Sequence, residues 1–173
     1  LWKLNNRIVP KGFQSFFDRD PERKTPPGPV IVAPADGLLE LRRRPGKTTE
    51  FIVHLRLTDV HVQRVPFPGV VRSVVEEGQG HYYPGQEGYL YGVQTVTTID
   101  SSLGRYVVRQ ITSFLTTRIK SFLKPGQKVA AGQRLGRILL GSTVILEIPG
   151  KWRIEARDGQ KVFGGETVLA RLT

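Results

Sequence analysis

The strongest constraint on how this chain folds is an internal repeat in its last third. Gly126-Gln127-Lys128-Val129, with Gly132 three residues on, recurs as Gly159-Gln160-Lys161-Val162, with Gly165 three residues on. Each copy continues into an apolar run, 135–140 in the first and 167–172 in the second. Glycines at matching corners allow tight turns that a Cβ would hinder, so two turn-strand units of this kind predict a barrel-like β sandwich. Short β-branched runs bounded by glycine or proline lie at 30–32, 50–57, 69–75, 91–99 and 106–111, and they extend the same pattern upstream. The expected fold class is mainly β (α+β), with one or two packed helices. Ile111, Phe114, Leu115, Arg118, Ile119 and Phe122 recur at three- and four-residue steps and stop at Pro125-Gly126, which predicts a helix against the sheet. Residues 18–34 are dense in proline and charge and predict an extended lead-in. The chain then divides into an amphipathic, extended arm over 1–29 and one domain over 30–173.

A length of 173 residues is enough for one core without staples. The lack of cysteine excludes disulfides, thiolate metal sites and thiol redox chemistry. Twenty-six Lys and Arg against fifteen Asp and Glu leave a net charge of +11, which attracts polyanions, either nucleic acid or an anionic bilayer. No recognised nucleic-acid-binding motif accompanies the charge. No apolar run reaches the roughly 20 residues that span a bilayer. The first residue is Leu1 rather than Met, so an upstream segment, an anchor included, is an open expectation. Trp2, Leu4, Ile8, Val9, Phe13, Phe16 and Phe17 alternate with Lys3, Arg7 and Lys11, a mix suited either to a lipid interface or to packing on the domain.

Between the two repeat copies runs Leu139-Leu140-Gly141-Ser142-Thr143-Val144-Ile145-Leu146, an apolar strand broken by a glycine and two hydroxyls. Buried Ser and Thr can satisfy themselves on nearby backbone, so the dipeptide alone is compatible with plain structure. LGST followed by VILEIP resembles the self-processing site of phosphatidylserine decarboxylase proenzymes, and further segments match in the same order. These are FFDRDPER, the APADG turn from Ala33 to Gly37, LTDVHVQRVPFPG from Leu57 to Gly69, QKVAAGQRLGRILLGST and GGETVLA, together spanning 16–170. The absence of long insertions points to the short, compact branch of that family.

The resemblance implies a chemistry. Ser142 Oγ attacks the carbonyl of Gly141, whose missing Cβ lets the backbone hold that carbonyl open. The resulting ester eliminates, and Ser142 becomes a covalent pyruvoyl group. The products are a larger β chain, 1–141, and a smaller α chain, 142–173, held as a heterodimer with further homo-oligomers open. A serine hydroxyl needs a base, and an imidazole steered by a carboxylate is the usual provision, which makes Asp36, His61 and Ser142 the expected relay. Asp59 either orients His61 or caps a turn, and Thr143 and Arg64 are supporting candidates. Some longer relatives carry a second histidine where Arg64 stands, and a guanidinium does not readily accept a proton. Either His61 serves both cleavage and the later protonation, or another residue shares the work. His54 reads as structural and His81 as a loop residue near the lipid path. The implied cofactor is the pyruvoyl group, with neither metal nor pyridoxal phosphate. The implied partners are a phosphatidylserine-like lipid and an anionic membrane surface, with the protein peripheral on the cytoplasmic face and no nucleic acid. Rival readings are an archaetidylserine decarboxylase, a non-processing pseudoenzyme, and a biotinyl or lipoyl carrier domain. The nearest carrier lysine, Lys151 in PGKW, lacks the Met-Lys setting of biotinyl carriers.

Overall fold

Runs of Val, Ile and Thr, whose branched Cβ suits a pleated surface, form most elements of the computed structural model, which describes residues 3–4, 7–8, 11–43, 48–80, 82, 88–113, 119–138, 142–150 and 152–172. A small hairpin, β1 (Lys3–Leu4) and β2 (Arg7–Ile8), precedes the helix α1 (Lys11–Asp18). The strands that follow are β3 (Val30–Val32), β4 (Gly37–Arg43), β5 (Thr48–Leu55), β6 (Val62–Arg64) and β7 (Gly69–Glu77). After a 3-10 turn at Tyr89–Tyr91 come β8 (Gln94–Ser101), β9 (Gly104–Ile111), β10 (Ile119–Ser121), β11 (Lys128–Val129) and β12 (Arg134–Ile138). The chain closes with β13 (Ser142–Pro149), β14 (Trp152–Ile154), β15 (Lys161–Val162) and β16 (Val168–Leu172).

The repeat is larger than its glycine turns suggest. The eight-stranded sheet runs β11-β7-β8-β9-β13-β5-β4-β15, and two three-stranded sheets run β10-β12-β6 and β14-β16-β3. Both small sheets carry a register shift at the same place, opposite Gln63 in one and Ile31 in the other. In the first copy Gly126 N–H donates to Val71 O, and in the second Gly159 N–H donates to Leu39 O, each at 2.7 Å. Gly126 and Gly159 both have positive φ, as do Gly132 and Gly165. Val65-Pro66-Phe67-Pro68-Gly69 of the first copy thus corresponds to Ala33-Pro34-Ala35-Asp36-Gly37 of the second. The first copy is continuous from His61 to Ile138. The second is assembled from 29–55 and 142–172, and β9 and β13 meet at the centre of the large sheet.

One face of that sheet buries Phe51, Val53, Leu55, Val108, Val144, Leu146 and Ile148 against Ile31, Leu135, Ile138 and Leu169 from the small sheets. On the opposite face Ile52, Ile111 and Ile145 form a separate buried cluster.

The helix expected between Ile111 and Phe122 is not formed at either end. Ile111 closes β9, where its side chain joins the outer isoleucine cluster, and Ile119 pairs with Ile138 in β10. Phe114, Leu115 and Arg118 lie outside the described residues. Tertiary pairing here overrides a three- and four-residue apolar spacing that local pattern alone assigns to helix. The helix among the described residues is α1, in the stretch expected to be amphipathic.

Candidate active site

The chain passes between the two copies twice. It leaves the second copy after Leu55 and enters the first at His61-Val62. It leaves the first after Ile138 and returns at Ser142. The expected base and nucleophile therefore sit at the ends of the two crossings. Ile138 N–H donates to the His61 carbonyl at 3.2 Å, tying the start of the second crossing to the end of the first.

A turn shapes the first crossing. Asp59 N–H donates to Arg56 O at 3.0 Å, and Arg56 N–H donates to Asp59 Oδ2 at 2.8 Å, so the carboxylate caps the turn. Its other oxygen accepts from Lys161 Nζ. The backbone carbonyl of the same residue receives His61 Nδ1 at 2.8 Å. A carbonyl only accepts, so Nδ1 carries the proton and Nε2 presents a lone pair. Both roles open for Asp59 are thus filled, one by its side chain and one by its main chain.

His61 is only 1% exposed, and its Nε2 is buried with no hydrogen-bond partner among the described residues. The Phe17 ring packs edge-on against the imidazole, with centroids 5.3 Å apart. Burial pushes the pKa of His61 below its ordinary value, and the nearby charges of Arg19 and Arg137 push the same way, against the Asp59 carbonyl and carboxylate. The ring is thereby biased toward its neutral form, with the lone pair on Nε2.

Ser142 opens β13 opposite Leu55 of β5. It is 2% exposed, and its Oγ is also buried without a partner among the described residues. An unpaired buried hydroxyl is costly, and none of the described backbone groups satisfies Ser142 as a plain strand serine would be satisfied. Thr143 points to the other face, its Oγ1 3.3 Å from His54 Nδ1, while His54 Nε2 lies 2.8 Å from Glu40. Gly141 and His81 lie outside the described residues.

Asp36 is 5% exposed and fully engaged elsewhere. Its Oδ1 accepts from Gly164 N–H at 2.7 Å, and Arg23 Nη2 donates to both oxygens at 3.0 Å. No hydrogen bond joins it to His61 among the described residues. A Cβ on Gly164 would sit 3.1–3.3 Å from the Ala35 backbone, so glycine lets the GGETVLA turn close on APADG. Arg23 also reaches Glu166 at 3.3 Å.

Arg64, equally buried, donates to the Asp20 carboxylate, to Pro21 O at 2.9 Å and to Gly132 O at 3.3 Å. Arg134 also binds Asp20, and Arg137 binds Asp18 at 2.6 Å. Residues 17–24 are strapped across both glycine turns by these pairs. Phe17 and Arg23 belong to FFDRDPER, whose order of charges, set against the arginines of RLGRI, is the signal that could have assigned them.

Residues 11–170 match the family model for phosphatidylserine decarboxylase. A phosphatidylserine decarboxylase proenzyme of Solibacter usitatus is 34% identical over 160 residues, covering 92% of this chain and 78% of the relative. Its counterpart in Chlorobaculum tepidum is 34% identical, covering 92% and 77%. A putative archaetidylserine decarboxylase proenzyme of Archaeoglobus fulgidus is 35% identical, covering 92% and 78%. With a buried serine and a buried neutral histidine at the two crossings of a doubled β fold, the chain belongs to the phosphatidylserine decarboxylase family.

Proposed function

We propose that this protein is made as a proenzyme, cuts itself between Gly141 and Ser142, and then decarboxylates the serine head group of phosphatidylserine in phospholipid biosynthesis. The observation that carries the reading is the pair of buried, unpartnered atoms, His61 Nε2 and Ser142 Oγ, at the two chain crossings. A hydroxyl and an imidazole lone pair that are both uncommitted elsewhere are available to each other for proton transfer when they come within hydrogen-bond reach.

In this mechanism His61 Nε2 takes the Ser142 proton as Oγ adds to the Gly141 carbonyl, and the peptide bond becomes an ester. Loss of the Ser142 Cα proton expels the Gly141 carboxylate and leaves a dehydroalanine, which water converts to a pyruvoyl amide with release of ammonia. The burial of Ser142 keeps the group it would become out of bulk solvent. Once formed, the pyruvoyl group supplies the electron sink that decarboxylation of an amino acid requires. His61 returns the hydroxyl proton to the Ser142 nitrogen as the peptide bond opens. In the later reaction it would take up a proton released by the substrate's ammonium and deliver it from Nε2 to substrate carbon. Asp36 acts indirectly in this reading, fixing the strap that carries Phe17 over the imidazole. The Asp59 carbonyl sets the tautomer.

The arm over 1–29 and the catalytic domain over 30–173 are the proposed units, with the fragments 1–141 and 142–173 remaining together as a heterodimer. Peripheral docking on the cytoplasmic face of an anionic bilayer is supported by the +11 charge and by Phe16, 43% exposed beside Phe17. No helix among the described residues is long and apolar enough to cross a membrane. The archaetidylserine reading shares the head-group chemistry and is supported by the relatives bearing that name. Competition between ester and ether lipids separates the two.

Intact mass and gel analysis of the purified chain test the proposal. The expected result is two fragments, the smaller reactive toward carbonyl reagents at its amino terminus, and a single intact chain for Ser142→Ala. A parent chain that stays whole with lipid present overturns it.

A further inference from the structure

We propose that Gln63 and Gln110 are positioning residues that hold the His61 backbone in register with Ser142. The inference rests on the role given to His61 above. Both glutamines are 0% exposed. Gln63 Nε2 donates to the His61 carbonyl at 2.8 Å, and Gln110 Nε2 donates to Gln63 Oε1 at 2.8 Å. The direction is fixed, because the His61 carbonyl only accepts, which turns the Gln63 oxygen toward Gln110. Gln110 lies on β9 opposite Val144 of β13, two residues along the same pleat face from Ser142. The two amides thus link the crossing that carries His61 to the strand pair that carries the nucleophile.

The internal repeat shows that packing does not demand a glutamine at position 63. Gln63 corresponds to Ile31, which is equally buried and makes ordinary core contacts. His61 corresponds to Pro29, whose carbonyl accepts from Leu172 N–H at 3.2 Å just as the His61 carbonyl accepts from Ile138 N–H. The first copy adds a second donor to that carbonyl, and only there does a histidine follow the turn. Room is made for the added amide. A Cβ on Gly136 would lie 3.0 Å from Gln110 Nε2 and 2.7 Å from Lys120 O. Gln110 Oε1 has no partner among the described residues, a desolvation cost that an apolar side chain would avoid.

The test measures the rate at which the two fragments appear from the full chain made in a cell-free reaction, with thermal unfolding alongside. Gln63→Leu and Gln110→Leu are expected to cleave at least about tenfold more slowly while unfolding within a few degrees of the parent. Gln63→Glu is isosteric and donates to the His61 carbonyl only when protonated, so its rate relative to the parent should rise as pH falls. Gln63→Leu should show no such rise. The proposal is overturned if the leucine variants cleave at the parental rate while His61→Ala is blocked. It is equally overturned if slowing tracks lost thermal stability and the Gln63→Glu ratio is flat with pH. Normal cleavage in His61→Ala would instead overturn the functional reading itself.

Discussion

The two copies of the repeat share a backbone and differ in the residues they place on it. The first has Val65-Pro66-Phe67-Pro68-Gly69 where the second has Ala33-Pro34-Ala35-Asp36-Gly37. Phe67 spends its bulk on Trp152, with ring centroids 6.1 Å apart. Ala35 is small enough for Gly164 to close on it, and Asp36 takes the charge of the arm. The first copy in turn has His61, Gln63 and Arg64 where the second has Pro29, Ile31 and Val32. Each copy has given up apolar residues at a different edge. Both copies hold the strap, the first through Arg64, Arg134 and Arg137 and the second through Asp36, while the proposed base lies in the first and Ser142 in the second, so neither copy alone contains both groups.

The contrast can be broken first at the base. His61→Ala is expected to slow self-cleavage about a thousandfold, within the range for loss of a general base. Pro29→Ala, at the matching position, should leave the rate unchanged in the same gel assay. The pH profile sharpens the point. Because the pKa of His61 is lowered, the reactive neutral form persists below the 6.5 of a free imidazole, and the acid limb of the cleavage rate should fall below that pH. Stability moves the same way. The folded pKa lies under the unfolded one, so the contribution of neutral His61 is present above 6.5 and is lost as pH falls from there toward the folded value.

Arg23→Ala comes next. It strips the charge partner from a buried carboxylate and should cost about 3 kcal/mol in urea denaturation, whereas Pro68→Ala, at the counterpart of Asp36, should cost under about 1 kcal/mol. The smallest difference is expected at the closing turn. Gly164→Ala forces a methyl against the Ala35 backbone and should cost about 1–2 kcal/mol. Its counterpart change, Ala131→Gly, should cost less than about 1 kcal/mol.

Much of the fold was legible because strand signals are local. The run expected at 30–32 is β3, and those at 69–75 and 106–111 lie within β7 and β9. The glycine pairs of the repeat announced the two turns. The full doubling was hidden, since APADG and VPFPG share little beyond a proline and a glycine. Ile111 to Phe122 misled because a three- and four-residue spacing does not reveal that Ile111 is claimed by a second apolar cluster across the sheet. At the site, motif order pointed to His61 and Ser142, and the structure buries both. The partner of Asp36 was not legible, because pairing with Arg23 depends on the path of a proline-rich arm rather than on spacing. The Asp59 carbonyl was invisible for a plainer reason, since every residue has one.

Ser142 begins the strand at the middle of the eight-stranded sheet, between β9 and β5. The proposed cut would follow assembly, because Ser142 is set by its pairing with Leu55 of β5 and by the pairing of the next residue, Thr143, with Ile111 of β9. The proposed short fragment would not diffuse away, because its first strand, β13, is hydrogen-bonded on both sides within the sheet. Under the proposed cleavage, maturation at this bond would act as a ratchet on folding, licensing chemistry only in molecules that have already closed.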